Sequence, residues 1–131
     1  MAKIAIVEDD QKLANIYKNR LTLEGYEVST LDNNTAYDDL NRNKPDLLLL
    51  DIFMPNVSGL TILEKLRQDH VFDLMPILIL TNDDRAEDME RAVKLGIHGY
   101  VLKAETSLDA LVSRVRDVLS DKAASSAPPT P

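Results

Sequence analysis

Leu47-Leu48-Leu49-Leu50-Asp51-Ile52-Phe53-Met54-Pro55 decides the fold. Its first four residues are all apolar, with no polar alternation. A strand apolar on every residue is covered on both faces, as in a parallel sheet flanked by helices. Leucine has no strong strand preference, so the reading rests on the shortness of the run and on its breakers. These are Asn43-Lys44-Pro45 before it and the loop from Pro55 to Gly59 after it. The run ends on a carboxylate, Asp51, where a strand would hand over to a loop.

The same grammar continues on both sides. Upstream, Lys3 to Val7 reads as a buried strand. Leu13, Ile16, Tyr17 and Leu21 then recur at helical spacing, and Gly25 marks a stop. Tyr26 to Leu31 reads as a second strand, and Ala36, Tyr37 and Leu40 as a short helix. Downstream, Leu60, Leu63 and Leu66 mark a third helix, Pro76 to Leu80 a fourth strand, and Met89, Ala92 and Val93 a fourth helix closed by Gly96. Gly99 to Leu102 is a short fifth strand. Leu108, Leu111, Val112, Val115, Val118 and Leu119 stripe a fifth helix, with Thr106-Ser107-Leu108-Asp109 as its capping signal. Five strands alternating with five helices predict an α/β fold, a parallel sheet with helices on both faces. The domain is expected over residues 1–121. The Ser- and Pro-rich stretch 122–131 reads as a flexible tail or linker stub.

The chain has 131 residues, the size of one domain, and 44% apolar and 28% charged residues place it among globular proteins. It has no cysteine, which removes disulfides, thiolate zinc sites and thiol catalysis, and fits a reducing cytoplasm. No apolar run is long enough to span a bilayer, and Met1-Ala2-Lys3 leads into a strand rather than a signal peptide. A net charge of −7 argues against nucleic-acid binding by this chain and permits a cationic partner or metal.

In such sheets ligands gather beyond the carboxyl ends of the strands, where strand order reverses. The residues there are Glu8-Asp9-Asp10, Asp51, Thr81 and Lys103. Each has a bland reading when taken alone. The acidic trio could cap a helix, Asp51 and Thr81 could be turn or cap residues, and Lys103 could be a solvated surface lysine. Together they point elsewhere. Two carboxylates 4 Å apart repel by about 4 kcal/mol at an effective dielectric of 20, which a cation would relieve. Hard oxygen ligands with open positions suit Mg²⁺. A lysine and a hydroxyl opposite would meet an anion, so the set fits phosphoryl transfer by positioning and charge neutralisation. There is no glycine-rich cradle for a nucleotide, so the acceptor would be a protein carboxylate.

Ile4 to Asp10, Leu47 to Pro55, Ser58-Gly59-Leu60, Ile79-Leu80-Thr81 and Gly99 to Lys103 together resemble the receiver domain of two-component response regulators, over residues 1 to about 121. The resemblance implies a flavodoxin-like (βα)5 sheet of order 2-1-3-4-5 and a phosphorylation-activated signalling switch. It makes Asp51 the phosphoacceptor. Asp9 and Asp51 would ligate Mg²⁺ directly, Glu8 through water, and Phe53 through its backbone carbonyl. Thr81 and Lys103 would contact the phosphoryl oxygens, and Thr81 and Tyr100 would form the switch. Asp10 is left to start the first helix. The partner implied is a histidine kinase or phosphotransfer protein. The surface of the fourth helix, fifth strand and fifth helix would change on phosphorylation and could pair two copies. On this reading the chain is no enzyme beyond its own phosphoryl transfer and autodephosphorylation. The Phe53 side chain, two residues past the acceptor, could shield the acyl phosphate from water or point away into solvent.

Two departures stand out. The family usually has Lys-Pro in its last loop, often cis, whereas this chain has Lys103-Ala104. A cis bond before Ala costs about 2.5–4 kcal/mol, so this peptide is expected to be trans. No output domain follows, which fits either a stand-alone receiver or part of a longer regulator. His70 and His98 lie away from the strand ends and read as surface residues. Three rival readings make different demands on the sequence. A haloacid-dehalogenase-type phosphatase would want a second Asp where Phe53 stands. An FMN module would want a glycine- and hydroxyl-rich loop where Glu8-Asp9-Asp10 stands. A degenerate receiver would lack the key residues, which are all present.

Overall fold

The computed structural model describes residues 1–54, 58–82 and 86–126, without side chains at Ala86 and 121–126. Pro55 and residues 127–131 lie outside the described residues. The order of elements is β1 (Lys3–Val7), α1 (Gln11–Leu23), β2 (Glu27–Leu31), α2 (Ala36–Arg42), β3 (Leu47–Asp51), α3 (Gly59–Gln68), β4 (Ile77–Thr81), α4 (Ala86–Leu95), β5 (Gly99–Leu102) and α5 (Leu108–Ser126). The five strands form one parallel sheet in the order β2-β1-β3-β4-β5. This is the expected doubly wound fold.

The leucine run shows why. Leu48 and Leu50 enter a core that also holds Ala5, Val7, Ile77 and Ile79 from the sheet, with Leu40 of α2, Leu63 and Leu66 of α3 and Ala92 of α4. Leu47 and Leu49 enter the opposite core, with Ile4, Ile6, Leu78 and Leu80, Tyr17 and Leu21 of α1, and Leu111 and Val115 of α5. Successive side chains of a strand point to opposite faces, so a run apolar at every position fills two cores at once. The outer strand β2 is mostly exposed, as its polar Glu27, Ser29 and Thr30 require.

Local signals set the boundaries. Asp10 caps α1, its Oδ1 accepting from Leu13 N at 3.2 Å. Ser107 caps α5, its Oγ accepting from Ala110 N at 3.1 Å. Gly96, at φ +105°, stops α4 in a left-handed turn that glycine adopts without strain.

Three details differ from the sequence reading. Ile16 faces solvent, because the buried stripe of α1 is Ala14, Tyr17 and Leu21. A 3-10 turn over His70–Phe72 was not anticipated; it buries Phe72. Helix α5 runs on to Ser126, past the expected boundary at 121, so the first part of the stretch read as a tail is helical. Lys122, Ala123 and Ala124 are good helix formers, and the prolines come only at 128. Among the described residues no helix is long and apolar enough to cross a membrane.

Candidate functional site

The strand register brings the chemistry together. Val7 pairs with Leu50, so Glu8, the next residue, stands level with Asp51. Asp51 pairs with Leu80 and Thr81 with Leu102, so Thr81 and Lys103 follow on the other side. The Thr81 carbonyl accepts from Lys103 N at 2.8 Å, which steers the last loop inward. Among the described residues the buried polar or charged side chains are Glu8, Asp51 and Thr81, all at this edge of the sheet. Burial of a charge is costly unless it is paired, and here the pairing is visible.

Lys103 reaches between the two buried carboxylates. Its Nζ donates to Asp51 Oδ2 at 2.9 Å and lies 2.5 Å from Glu8 Oε1. Glu8 Oε1 is buried without an aligned hydrogen bond, so the ammonium charge is what compensates it. Glu8 Oε2 accepts from Asp10 N at 3.3 Å. Burial, reinforced by Asp51 and opposed by Lys103, pushes the Glu8 carboxyl up to about 8. Burial alone would lower the Lys103 ammonium, but Glu8 and Asp51 outweigh it and hold it above its ordinary value.

Asp9 is exposed at the mouth of this cluster. One carboxylate oxygen each of Glu8, Asp9 and Asp51 lie within 4.8 Å of one another. Three hard oxygen donors, one open to solvent, and a buried carboxylate oxygen lacking an aligned hydrogen bond suit a divalent cation such as Mg²⁺. Asp10 stays outside, its side chain committed to the α1 cap.

The other carboxylate oxygen of Asp51 is held from the loop. Phe53 N donates to Asp51 Oδ1 at 2.9 Å, in a turn that Asp side chains favour. The Phe53 side chain is 40% exposed. Tyr100 on β5 is 41% exposed and borders an open groove with Gly99, Leu102, Glu105, Thr106 and Arg114. No peptide among the described residues is cis, Lys103–Ala104 included. His98 is exposed and His70 sits beside Asp73, both away from the cluster.

Sequence reasoning gave no role to Ser58 and Gly59. Ser58 caps α3, its Oγ accepting from Leu60 N at 3.2 Å. A Cβ on Gly59 would stand 2.1 Å from Asp51 O and 2.6 Å from Ile52 Cα. Only glycine lets the first turn of α3 press against the backbone of Asp51 and Ile52. The readable signal was a hydroxyl followed by glycine at a helix start.

Fold and site together define a doubly wound α/β protein with a carboxylate and lysine pocket at its switch point. The chain belongs to the response regulator receiver domain family of two-component systems, whose sequence model matches residues 4–116. It is 36% identical over 120 residues to the phosphate regulon transcriptional regulatory protein PhoB of Rhizobium meliloti, covering 91% of this chain and 52% of that protein. It is 33% identical to the probable transcriptional regulatory protein TcrX of Mycobacterium tuberculosis, covering 88% and 49%. The chain thus spans about half the length of these relatives. Among solved structures, the chemotaxis protein CheY4 of Vibrio cholerae superposes with a TM-score of 0.83 at 25% identity, covering 90% of this chain and 98% of that one. A CheY-like receiver from Methanospirillum hungatei superposes at 0.88, with 23% identity and coverage of 95% and 98%.

Proposed function

We propose that this receiver takes a phosphoryl group onto Asp51 from a histidine kinase or phosphotransfer protein, with Mg²⁺ present, and so switches its surface. The observation that carries the reading is the buried pair Glu8 and Asp51, bridged by Lys103, with Asp9 at the mouth. Asp9 and Asp51 would hold the metal directly, with the Phe53 carbonyl, and Glu8 through water. When bound, Mg²⁺ would neutralise charge that builds on the transferred group.

The chain's own residues do the rest. Phe53 N–H and Lys103 fix the two carboxylate oxygens of Asp51, so the nucleophile is oriented before the donor arrives. One oxygen of Asp51 forms the new P–O bond as the P–N bond to the donor imidazole breaks, and the imidazole nitrogen leaves. Lys103 then turns from the carboxylate to the phosphoryl oxygens, joined by the Thr81 hydroxyl. Apart from this transfer and its own dephosphorylation the chain is no enzyme.

The phosphoryl adds about −1.5 to −2 charge. Moving a population from 1:99 to 99:1 takes about 5.5 kcal/mol of differential interaction. One hydrogen bond to a charged group gives about 1.5–3 kcal/mol, so Thr81 needs Lys103 and the metal beside it. Thr81 moving toward the phosphoryl leaves room for the Tyr100 ring to turn inward, changing the face of α4, β5 and α5. Arg91, Lys94, Tyr100 and Arg114 are exposed there, a surface for a second copy or an acidic partner, whereas Met89, expected on that face, is buried in the core. A cytoplasmic setting fits this exchange.

The test is incubation with acetyl phosphate, with and without Mg²⁺, followed by intact-mass spectrometry. One added phosphoryl is expected, dependent on Mg²⁺ and absent in Asp51→Asn. Equal labelling of that variant would remove Asp51 as the acceptor.

A further inference from the structure

Arg67 lies near the end of α3, on the edge of the sheet opposite the site. Its guanidinium gives three hydrogen bonds, all to main-chain carbonyls: Nε to Gly96 O at 2.9 Å, Nη1 to Phe72 O at 2.6 Å, and Nη2 to Met75 O at 3.1 Å. Gly96 ends α4, Phe72 ends the 3-10 turn, and Met75 lies just before β4. The planar fork of an arginine keeps such bonds in fixed relative directions. Gly96 is itself tied to its helix, its N–H reaching the Ala92 and Val93 carbonyls at 3.1 Å each. A Cβ on Gly96 would stand 3.5 Å from Arg67 Nε, so the two are in close contact.

The rest of α4 is held differently. Arg91 pairs with Glu64 of α3, but these side chains are 59% and 32% exposed, and exposed pairs contribute little. Met89 and Ala92 pack into the core by apolar contact, which is non-directional and tolerates sliding. So, among the described residues, α4 has directional anchorage at its base and softer anchorage above. Helix α3 spans the gap between site and anchor: Gly59 abuts the backbone of Asp51, and Arg67, eight positions on, lies about 12 Å further along the axis.

We infer that Arg67 is the pivot of the switch: α4 answers phosphorylation by swinging about the end that Arg67 holds, so displacement grows from Leu95 back toward the first turn. The inference rests on the phosphoacceptor reading and names how that site drives the α4 face. Arg67 is a positioning residue, far from the reacting atoms.

Two measurements on the full chain test it. Amide shifts are mapped with and without Mg²⁺ and beryllofluoride in the parent, Arg67→Lys and Arg67→Met. In the parent, changes along α4 should be largest in its first turn and smallest at 93–96. In Arg67→Met the gradient should be lost, with changes spreading to the base, and Arg67→Lys should restore part of it. Separately, hydrogen exchange without any phosphoryl mimic should speed about tenfold at 93–96 in Arg67→Met, as the loss of one hydrogen bond to a charged group implies. A flat or reversed gradient in a parent whose Asp51 loops do shift overturns the pivot. Unchanged exchange at 93–96 overturns the anchor. A parent with no shift around Asp51 instead refutes the phosphoacceptor reading, and the exchange measurement still decides the anchor.

Discussion

Glu8 is the residue where burial and charge conflict most openly. Its carboxyl is held up to about 8, against 4.5 ordinarily, first by burial and then by Asp51. Between those values the folded chain keeps a proton that the unfolded chain has released. Stability therefore falls as pH rises through the window, by an amount on the order of a few kcal/mol at most. In metal-free buffer, urea melts from pH 5 to 8 should show this decline in the parent and a flatter course in Glu8→Gln. A constant offset between the two proteins across that range would show that Glu8 does not titrate there. Phe53 offers a second test at this scale. It is partly exposed while its N–H holds Asp51 Oδ1. If the ring shields the acyl phosphate, Phe53→Asn keeps the backbone contact and admits water, so the aspartyl-phosphate lifetime should shorten. An unchanged or longer lifetime, followed by mass spectrometry after donor removal, would refute shielding.

At the scale of elements, strands were legible because run length and breakers report burial directly. The four leucines gave β3 within one residue, and β5 was placed at its exact bounds. The positions of Glu8, Asp51, Thr81 and Lys103 were legible for the same reason, since each stands at or just past a strand end. What escaped depends on contacts distant in sequence. Arg67 bonds a carbonyl 29 positions away, and Gly59 matters only because Asp51 packs on it. The exposure of Ile16 escaped because apolar residues at positions 13, 16, 17 and 21 fit a helix face without saying where its edge falls. The start of α1 separates two neighbouring carboxylates. Asp10 caps the helix, so Asp10→Ala should cost about 0.5–2 kcal/mol. Asp9 belongs to the acidic cluster, so Asp9→Asn should stabilise the metal-free protein by relieving repulsion. Opposite signs in urea melts are expected. If both destabilise alike, Asp9 shares the capping role and not the cluster.

For the molecule as a whole, the sheet is a shared wall between two separate apolar chambers. One belongs to α2, α3 and α4, the other to α1 and α5. Among the described residues the two clusters of buried apolar side chains are separate. Leu63→Ala and Leu111→Ala each should cost about 2–5 kcal/mol. Because the wall stands between them, their double variant should lose the sum to within about 0.5 kcal/mol. Leu63→Ala with Leu66→Ala, both in one chamber, should depart from its sum. Additivity in neither pair would mean the strands relay strain across the wall. If the wall does insulate, each chamber can accumulate substitutions on its own account. Variation in α1 and α5 can then retune one flank of the protein while α3 and α4 keep their setting, so the two flanks can evolve at independent rates.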